Sequence, residues 1–311
     1  MNYSCIFGPV RSRRLGVSLG VDMVRAKICS LNCVYCECGA TTVLTLERRE
    51  YVPADRIIAE LTAYLKTGPA LDYLTFGGSG EPTLNTGLGR VVRFLKKTFP
   101  RYRRALLTNG TLFFLPEVRN ECAEFDLVLP NLDAVSDKVF TKVNRPHDDL
   151  DNAEVIKGLS AFRKEYKGTI WLEIFIVPGV NDTPVELQLL GDAARSIKPD
   201  RVQLNTLDRP GTCEWVKPAA GDKLLSIVQF FSPLPVEIIT RQTQNPPLWD
   251  RSAVTPETIR SLVARRPSTL EEIASMAGLT INEASAMLSA LTASRSIISY
   301  AVDGRTFYGA G

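Results

Sequence analysis

Short apolar runs alternate along most of the chain with apolar residues at helical spacing. Ile57, Ile58, Leu61 and Leu65 lie on one helical face directly after Pro53, which predicts a helix there. Residues 72–76, Asp-Tyr-Leu-Thr-Phe, form a compact β-rich run closed by Gly77-Gly78, which predicts a buried strand. The same alternation predicts strands over residues 16–22, 104–108, 127–129, 169–177 and 201–205, with helices over 88–99, 136–143, 152–166 and 183–196. Six strands separated by helices predict an α/β fold of repeated βα units around a parallel sheet.

Polar and glycine-rich clusters fall at regular places in this pattern. Gly77-Gly78-Ser79-Gly80-Glu81-Pro82 follows the second strand, Thr108-Asn109-Gly110 the third and Asn131-Leu132-Asp133 the fourth. Pro178-Gly179-Val180-Asn181-Asp182 follows the fifth and Asn205-Thr206-Leu207-Asp208 the sixth. Each sits at the C-terminal end of its strand, the face on which loops of parallel α/β architectures converge on a catalytic site. Beyond Pro246-Pro247 no further βα unit follows. Helical runs at 255–265, 269–277 and 281–293 lead into β-like runs at 296–300 and 306–308 around Asp303-Gly304, a hairpin signal. The order predicts a small winged helix-turn-helix-like domain over residues 246–311, after a first domain over 1–245.

Composition excludes several classes. The 311 residues are 45% hydrophobic and 23% charged, ordinary values for a packed, soluble protein. A net charge of +3 is too small to point by itself to nucleic acid or an anionic membrane. No apolar run approaches the length of a membrane span and the N-terminus lacks the apolar segment of a secretory signal, so a cytoplasmic protein with no membrane partner is expected. Seven cysteines without a disulfide-like framework fit that reducing compartment.

Three of those cysteines carry the strongest chemical signal. Cys29, Cys33 and Cys36, in the run Ile28-Cys29-Ser30-Leu31-Asn32-Cys33-Val34-Tyr35-Cys36, place thiolates at spacings of four and three on one short loop. Such a loop can wrap three corners of a [4Fe–4S] cluster and leave the fourth iron open for chemistry. A structural zinc site completed by Cys38 is the alternative, although Cys-x-Cys is tight for tetrahedral zinc and no second Cys or His pair follows. The loop, with the aromatic Tyr35 before its last cysteine, resembles the signature of the radical S-adenosylmethionine (SAM) superfamily. The run Phe7-Gly8-Pro9-Val10-Arg11-Ser12-Arg13-Arg14-Leu15-Gly16 extends the resemblance, as do Gly78-Ser79-Gly80-Glu81-Pro82-Thr83-Leu84, Asn144-Arg145-Pro146 and Val202-Gln203-Leu204-Asn205. Together they cover roughly residues 5–215 and are similar to the branch that includes the tRNA wyosine-synthesis enzymes.

The resemblance implies an incomplete (βα)6 TIM-like barrel of radical SAM type. It implies a [4Fe–4S] cluster held by Cys29, Cys33 and Cys36, SAM chelated at the open iron, and one-electron cleavage of SAM to a 5′-deoxyadenosyl radical. An electron donor such as flavodoxin or ferredoxin is implied with it. Tyr35, Gly78 and Gly80 are expected beside the cofactor, Glu81 is expected to meet the SAM ammonium, and Asn109 its ribose or methionyl part. Glu173, Gln203 and Asn205 are expected on the barrel's inner side. Arg13 and Arg14 are expected, with Arg11, Arg25 and Lys27, to pack near the cysteine loop and hold the SAM carboxylate or a substrate phosphate. His147 and Cys213 are read as structural, and Lys96, Lys97, Arg101, Arg103 and Arg104 as surface.

A macromolecular substrate, peptide, protein or RNA, docked by the C-terminal domain is the expected use of this chemistry. The alternative is a non-catalytic iron–sulfur redox sensor with a DNA-binding winged helix. Residues 250–311 carry six arginines and no lysine against six acids, and residues 280–293 hold one acid and no base. Duplex DNA is therefore not an expected partner, because grip on phosphates relies on Lys and Arg.

Overall fold

The computed structural model of the chain describes residues 3–25, 27–239, 254–265, 267–302 and 304–310. Strands β1 (Ile6–Ser12) and β2 (Gly16–Val21) form an antiparallel hairpin. The short strands β3 (Ile28–Cys29) and β4 (Val43–Leu44) pair in parallel at the two ends of the cysteine loop. The chain then alternates through α1 (Ala54–Leu65), β5 (Tyr73–Phe76), α2 (Leu88–Thr98), β6 (Arg103–Thr108), α3 (Pro116–Cys122), β7 (Leu127–Pro130), α4 (Asp137–Asn144) and α5 (Asn152–Glu165). It continues through β8 (Thr169–Phe175), α6 (Pro184–Ile197), β9 (Arg201–Asn205), α7 (Gly221–Ile227) and β10 (Val236–Ile238). These strands make an eight-stranded sheet of order β1-β2-β5-β6-β7-β8-β9-β10. It is parallel everywhere except at the β1–β2 hairpin.

All six expected strands are present, and two more flank them. β1 carries Gly8 and Pro9 in its middle, residues that disfavour a strand, and β10 is only three residues long. Helix α3 also escapes the pattern, because only Val118 and Cys122 of its seven residues are buried. Alternation along the strands divides the sheet into two faces. Leu19, Leu74, Leu106, Val128, Leu172 and Leu204 pack under α-helical Ile57, Leu61, Val91, Leu95, Phe162 and Leu190. Each such side chain contributes about 1.5–3 kcal/mol by leaving water. On the opposite face Leu15, Tyr73, Ala105, Leu127 and Leu129 form a smaller apolar cluster, and Thr75, Glu173, Gln203 and Asn205 are buried polar neighbours in the same rows. Arg104 departs from the expected surface run: it lies on the helix-covered face, buried and paired with Asp126 at 2.8 Å.

The C-terminal elements are α8 (Pro256–Arg265), β11 (Ser268–Thr269), α9 (Leu270–Ala277), α10 (Ile281–Ala293), β12 (Ile297–Val302) and β13 (Arg305–Ala310). Their sheet is antiparallel with order β11-β13-β12. The expected linker at Pro246-Pro247 and the boundary near residue 245 lie outside the described residues, as does Asp303 of the expected turn. Helices α9 and α10 each open on a reciprocal capping box, Thr269 with Glu272 and Thr280 with Glu283. Such a cap is worth about 1 kcal/mol. Ile259, Val263, Ile273, Leu288 and Ile297 form the local core together with Val10 of β1, so these elements share apolar contact with the hairpin. Among the described residues no helix is long and apolar enough to cross a membrane.

Candidate cluster and cofactor site

The cysteine loop crosses the C-terminal ends of the parallel strands, and each of its three sulfurs has its own nitrogen donor. Lys27 Nζ donates to Cys36 Sγ at 2.7 Å, Asn109 Nδ2 to Cys29 Sγ at 3.5 Å and Asn144 Nδ2 to Cys33 Sγ at 3.5 Å. These donors come from the segment before the loop, from the end of β6 and from the last residue of α4. The loop backbone is fixed to the same end of α4: Asn32 N donates to Asn144 O at 3.0 Å and Val34 N to Val143 O at 2.9 Å. On its other side Cys213 N donates to Val34 O at 3.0 Å, and Thr212 Oγ1 to Cys36 O at 3.1 Å. Cys213 is thus a structural neighbour of the loop.

Electrostatics separate Cys36 from its companions. Burial pushes the Cys29 and Cys33 thiols up. Cys36 is lowered to about 5, chiefly by a hydrogen bond with Cys38 and, against the opposing effect of burial, by Lys27. Lys27 itself is moved up: burial disfavours its charge, and the neighbouring Cys36 and Cys38 more than compensate.

Tyr35 stacks on Phe175 with ring centres 3.8 Å apart, and its hydroxyl donates to Asp133 Oδ2. Asp133 also accepts from Phe175 N and Asn144 Nδ2, both at 2.8 Å. Burial pushes its carboxyl up, and these donors work in the other direction. The buried Asp133 therefore orients Asn144, which in turn meets Cys33.

The glycine-rich turn after β5 presses against the other end of the loop. A Cβ on Gly80 would stand 2.1 Å from the Ile28 carbonyl oxygen, and one on Gly78 would stand 2.1 Å from Asp22 Oδ1. Only glycine fits such an approach, and Gly78 has a φ of +145° besides. Glu81 N donates to Ile28 O at 3.0 Å, joining turn and loop. The Glu81 carboxylate, expected to face a ligand ammonium, is instead 2% exposed and accepts from four donors of its own chain. These are Thr83 N at 3.0 Å, Thr83 Oγ1, Thr108 Oγ1 at 2.6 Å and Asn109 N at 2.8 Å. Its geometry is that of a brace for Asn109, whose amide also donates to Ser30 Oγ at 2.8 Å.

The arginines expected beside the loop are answered elsewhere. Arg14 pairs with Glu173 of β8, and Arg13 reaches Asp208 after β9 at 3.8 Å. Burial is the main reason the Arg14 guanidinium drops to about 10. Of the expected cationic group, Lys27 is the member that meets a cysteine sulfur. Asn205 Nδ2 donates to Glu173 Oε1 at 3.2 Å, and Gln203 Nε2 to Glu237 Oε2 at 2.9 Å. Arg14, Glu173 and Asn205 thus form one polar group on the inner row, with Gln203 turned to β10. His147 accepts from Asp149 N through Nδ1 at 3.2 Å and lines an outer cleft of about 630 Å³ with Asn32, Arg145 and Asp151. Sequence reasoning placed Asn109 at the cofactor and Lys27 near the loop but missed Asp133 and Asn144 as partners of the loop, although Asn144 lies inside the Asn144-Arg145-Pro146 run.

A set of three thiols on one loop, each with a separate N–H donor, fits a thiolate-ligated cluster, because such donors stabilise charge on the sulfurs. Among the described residues no three His, Cys, Asp or Glu side chains are gathered to hold a single metal ion. Residues 23–188 match the model of the Radical SAM superfamily. The chain belongs to that superfamily. The cofactors of this radical SAM protein are accordingly those of the superfamily, a [4Fe–4S] cluster and SAM. It is 35% identical over 229 residues to a UPF0026 protein of Methanocaldococcus jannaschii, covering 73% of this chain and 70% of that one. It is also 34% identical over 270 residues, 86% of this chain, to a protein named GTPase Obg of Brachyspira hyodysenteriae, of whose length it spans 40%. No Gly-Lys pair occurs in this sequence, so the phosphate-cradling loop of a P-loop GTPase is not present in it. A radical SAM methyltransferase of Sphaerobacter thermophilus superposes with a TM-score of 0.55 at 19% identity, over 73% of this chain and 67% of that one, which shows a shared fold.

Proposed function

We propose that this protein is a radical SAM enzyme in which Cys29, Cys33 and Cys36 hold the [4Fe–4S] cluster and the face around Gly78, Gly80 and Asn109 takes SAM. The observation that carries the reading is the one-to-one match of three loop sulfurs with Asn109, Asn144 and Lys27. A cluster bound there supplies one electron for reductive cleavage of SAM to methionine and a 5′-deoxyadenosyl radical. The chain's own residues do the rest. Asp133 and Glu81 hold the two asparagines against the sulfurs, Tyr35 and Phe175 close the back of the loop, and Gly78 and Gly80 let the turn approach it. The polar group that Arg14 forms with Glu173 of β8 and Asn205 of β9 orients the substrate.

The substrate is a macromolecule, peptide, protein or RNA, and the reductant a small electron carrier such as flavodoxin or ferredoxin. The C-terminal elements, three helices and a hairpin, form a winged-helix-like domain that serves docking and packing. Helix α10 carries Glu283 and no base, which speaks against a grip on duplex DNA and so against the sensor reading. Anaerobic reconstitution is expected to give about four irons per chain, with 5′-deoxyadenosine released on reduction with dithionite in the presence of SAM. Zinc in place of iron, with no deoxyadenosine, defeats the proposal.

A further inference from the structure

Two arginines, one from each side, join the C-terminal elements to the two segments that frame the cysteine site. From α8, Arg265 Nε donates to Asp22 Oδ2 at 2.8 Å and Nη2 to the Ser4 carbonyl at 3.2 Å, and the guanidinium lies 5.3 Å from the centre of the Phe7 ring. Asp22 directly follows β2 and lies against Gly78, whose missing Cβ leaves room for its Oδ1. In the opposite direction Arg209, after β9, donates to both oxygens of Glu272 in α9 at 2.7 and 3.0 Å, and to the Pro267 carbonyl. The backbone N–H groups of Asp208 and Arg209 each donate at 3.1 Å to Glu37, the residue after Cys36. Arg305 Nη1 adds a bond to the Asp208 carbonyl at 3.3 Å.

These are not loose surface pairs. Arg209 is 4% exposed and Asp22 7%. Breaking a buried pair leaves an unanswered charge, so such pairs hold two elements in one arrangement. Arg209 meets Glu272 as a two-pronged fork, which fixes direction as well as distance. Glu272 is also the capping-box residue of α9, so the same carboxylate ties the helix start to the loop beside Cys36.

We propose that the C-terminal elements position the cofactor site through two separate arms: Arg265 sets the Gly78 turn through Asp22, and Arg209 with Glu272 sets the segment after Cys36 through Glu37. The proposal rests on the reading of that loop and turn as the cluster and SAM site. Arg265 and Arg209 are positioning residues; each acts through a residue that borders the site.

The test uses the full chain with Arg265→Ala, Arg265→Lys, Arg209→Lys and Glu272→Gln. Backbone hydrogen exchange is followed in residues 76–82 and 36–40 without added SAM, with the melting temperature alongside, and SAM affinity is then titrated on the reconstituted protein. Arg265→Ala is expected to speed exchange in residues 76–82 alone, with Arg265→Lys partly restoring protection. Arg209→Lys and Glu272→Gln are expected to speed it in residues 36–40 alone. SAM affinity is expected to fall about fivefold or more in Arg265→Ala. If Arg265→Ala does not fold, Arg265→Lys carries that arm. Unchanged exchange in both segments, or equal acceleration in both that follows the melting temperature, overturns the proposal. Segment-specific acceleration in a chain that never binds SAM upholds the two arms and defeats the functional reading instead.

Discussion

Lys27, Asn109 and Asn144 each meet one sulfur, and the proposed cluster ligation rests on this pairing. An N–H donor stabilises negative charge on a ligating sulfur and raises the potential of the bound cluster. Asn144→Ala is therefore expected to retain about four irons per chain while lowering the reduction potential, read by potentiometric titration with electron paramagnetic resonance. An unchanged potential would assign Asn144 to Asp133 alone. Glu81→Gln puts an amide NH2 where an oxygen now accepts, so donor faces donor. It is expected to lose about 1–3 kcal/mol in urea unfolding, and an unaltered midpoint would show the carboxylate to be dispensable to the fold. The cysteines were legible in the sequence because their spacing is local. The pairing of donor to sulfur was not: Asn109 and Lys27 were expected near the site without a sulfur assigned to them, and Asn144 lies 111 positions from the sulfur it meets. The surroundings of Glu81 were hidden for a related reason: an acid in a glycine turn looks free until Thr83, Thr108 and Asn109 fold onto it.

Turns and helix faces set the next level. Gly80→Ala would drive a methyl into the Ile28 carbonyl, and the backbone that must yield carries Cys29. An overpacking cost of about 1–3 kcal/mol is expected, with cluster incorporation falling further than the melting temperature alone accounts for; full iron loading would contradict this. On α1, the Glu60 carboxylate accepts from Cys5 N at 2.7 Å, Ser4 N at 2.9 Å and Ser4 Oγ at 2.8 Å. Burial raises its pKa, but these three donors outweigh burial and leave it below the ordinary carboxylate value. The stabilisation is thus present above the unfolded value of about 4.3 and is lost as pH falls through the lower folded value. Acidification in that window is expected to loosen the segment before β1, and Glu60→Gln to flatten the dependence of melting temperature on pH there. The six central strands were readable because apolar runs ended at Gly or polar clusters. β1 was hidden by Gly8 and Pro9 inside it, since an edge position tolerates a residue without an N–H donor that a central strand does not.

The molecule as a whole is held by contacts that no local pattern announces. Asp22 and Arg265 are separated by 243 positions and Arg209 and Glu272 by 63, and neither pair stands out from its neighbours in sequence. Residues 250–311, with balanced charge and no lysine, were expected to meet a protein or peptide surface or to pack on the rest of the chain rather than to grip a duplex. Much of that charge is used internally: Arg265, Glu272 and Arg305 contact Asp22, Arg209, the Asp208 carbonyl or one another.

β1 is the terminal strand of the eight-stranded sheet, and α8 with the apolar cluster around Val10 packs beside it. An open strand at a sheet's border is a template for another chain, and proteins guard such borders by covering them. Ending the chain after residue 245 removes this cover, bares Val10 and leaves Arg209 without Glu272. Light scattering on a dilution series is expected to show particles of the shortened chain growing with concentration, while the full chain keeps one mass. Constant mass in the shortened chain would show that the border is guarded by other means. The segment that frames the cofactor site from one direction is thus expected, from another, to keep the protein colloidally stable.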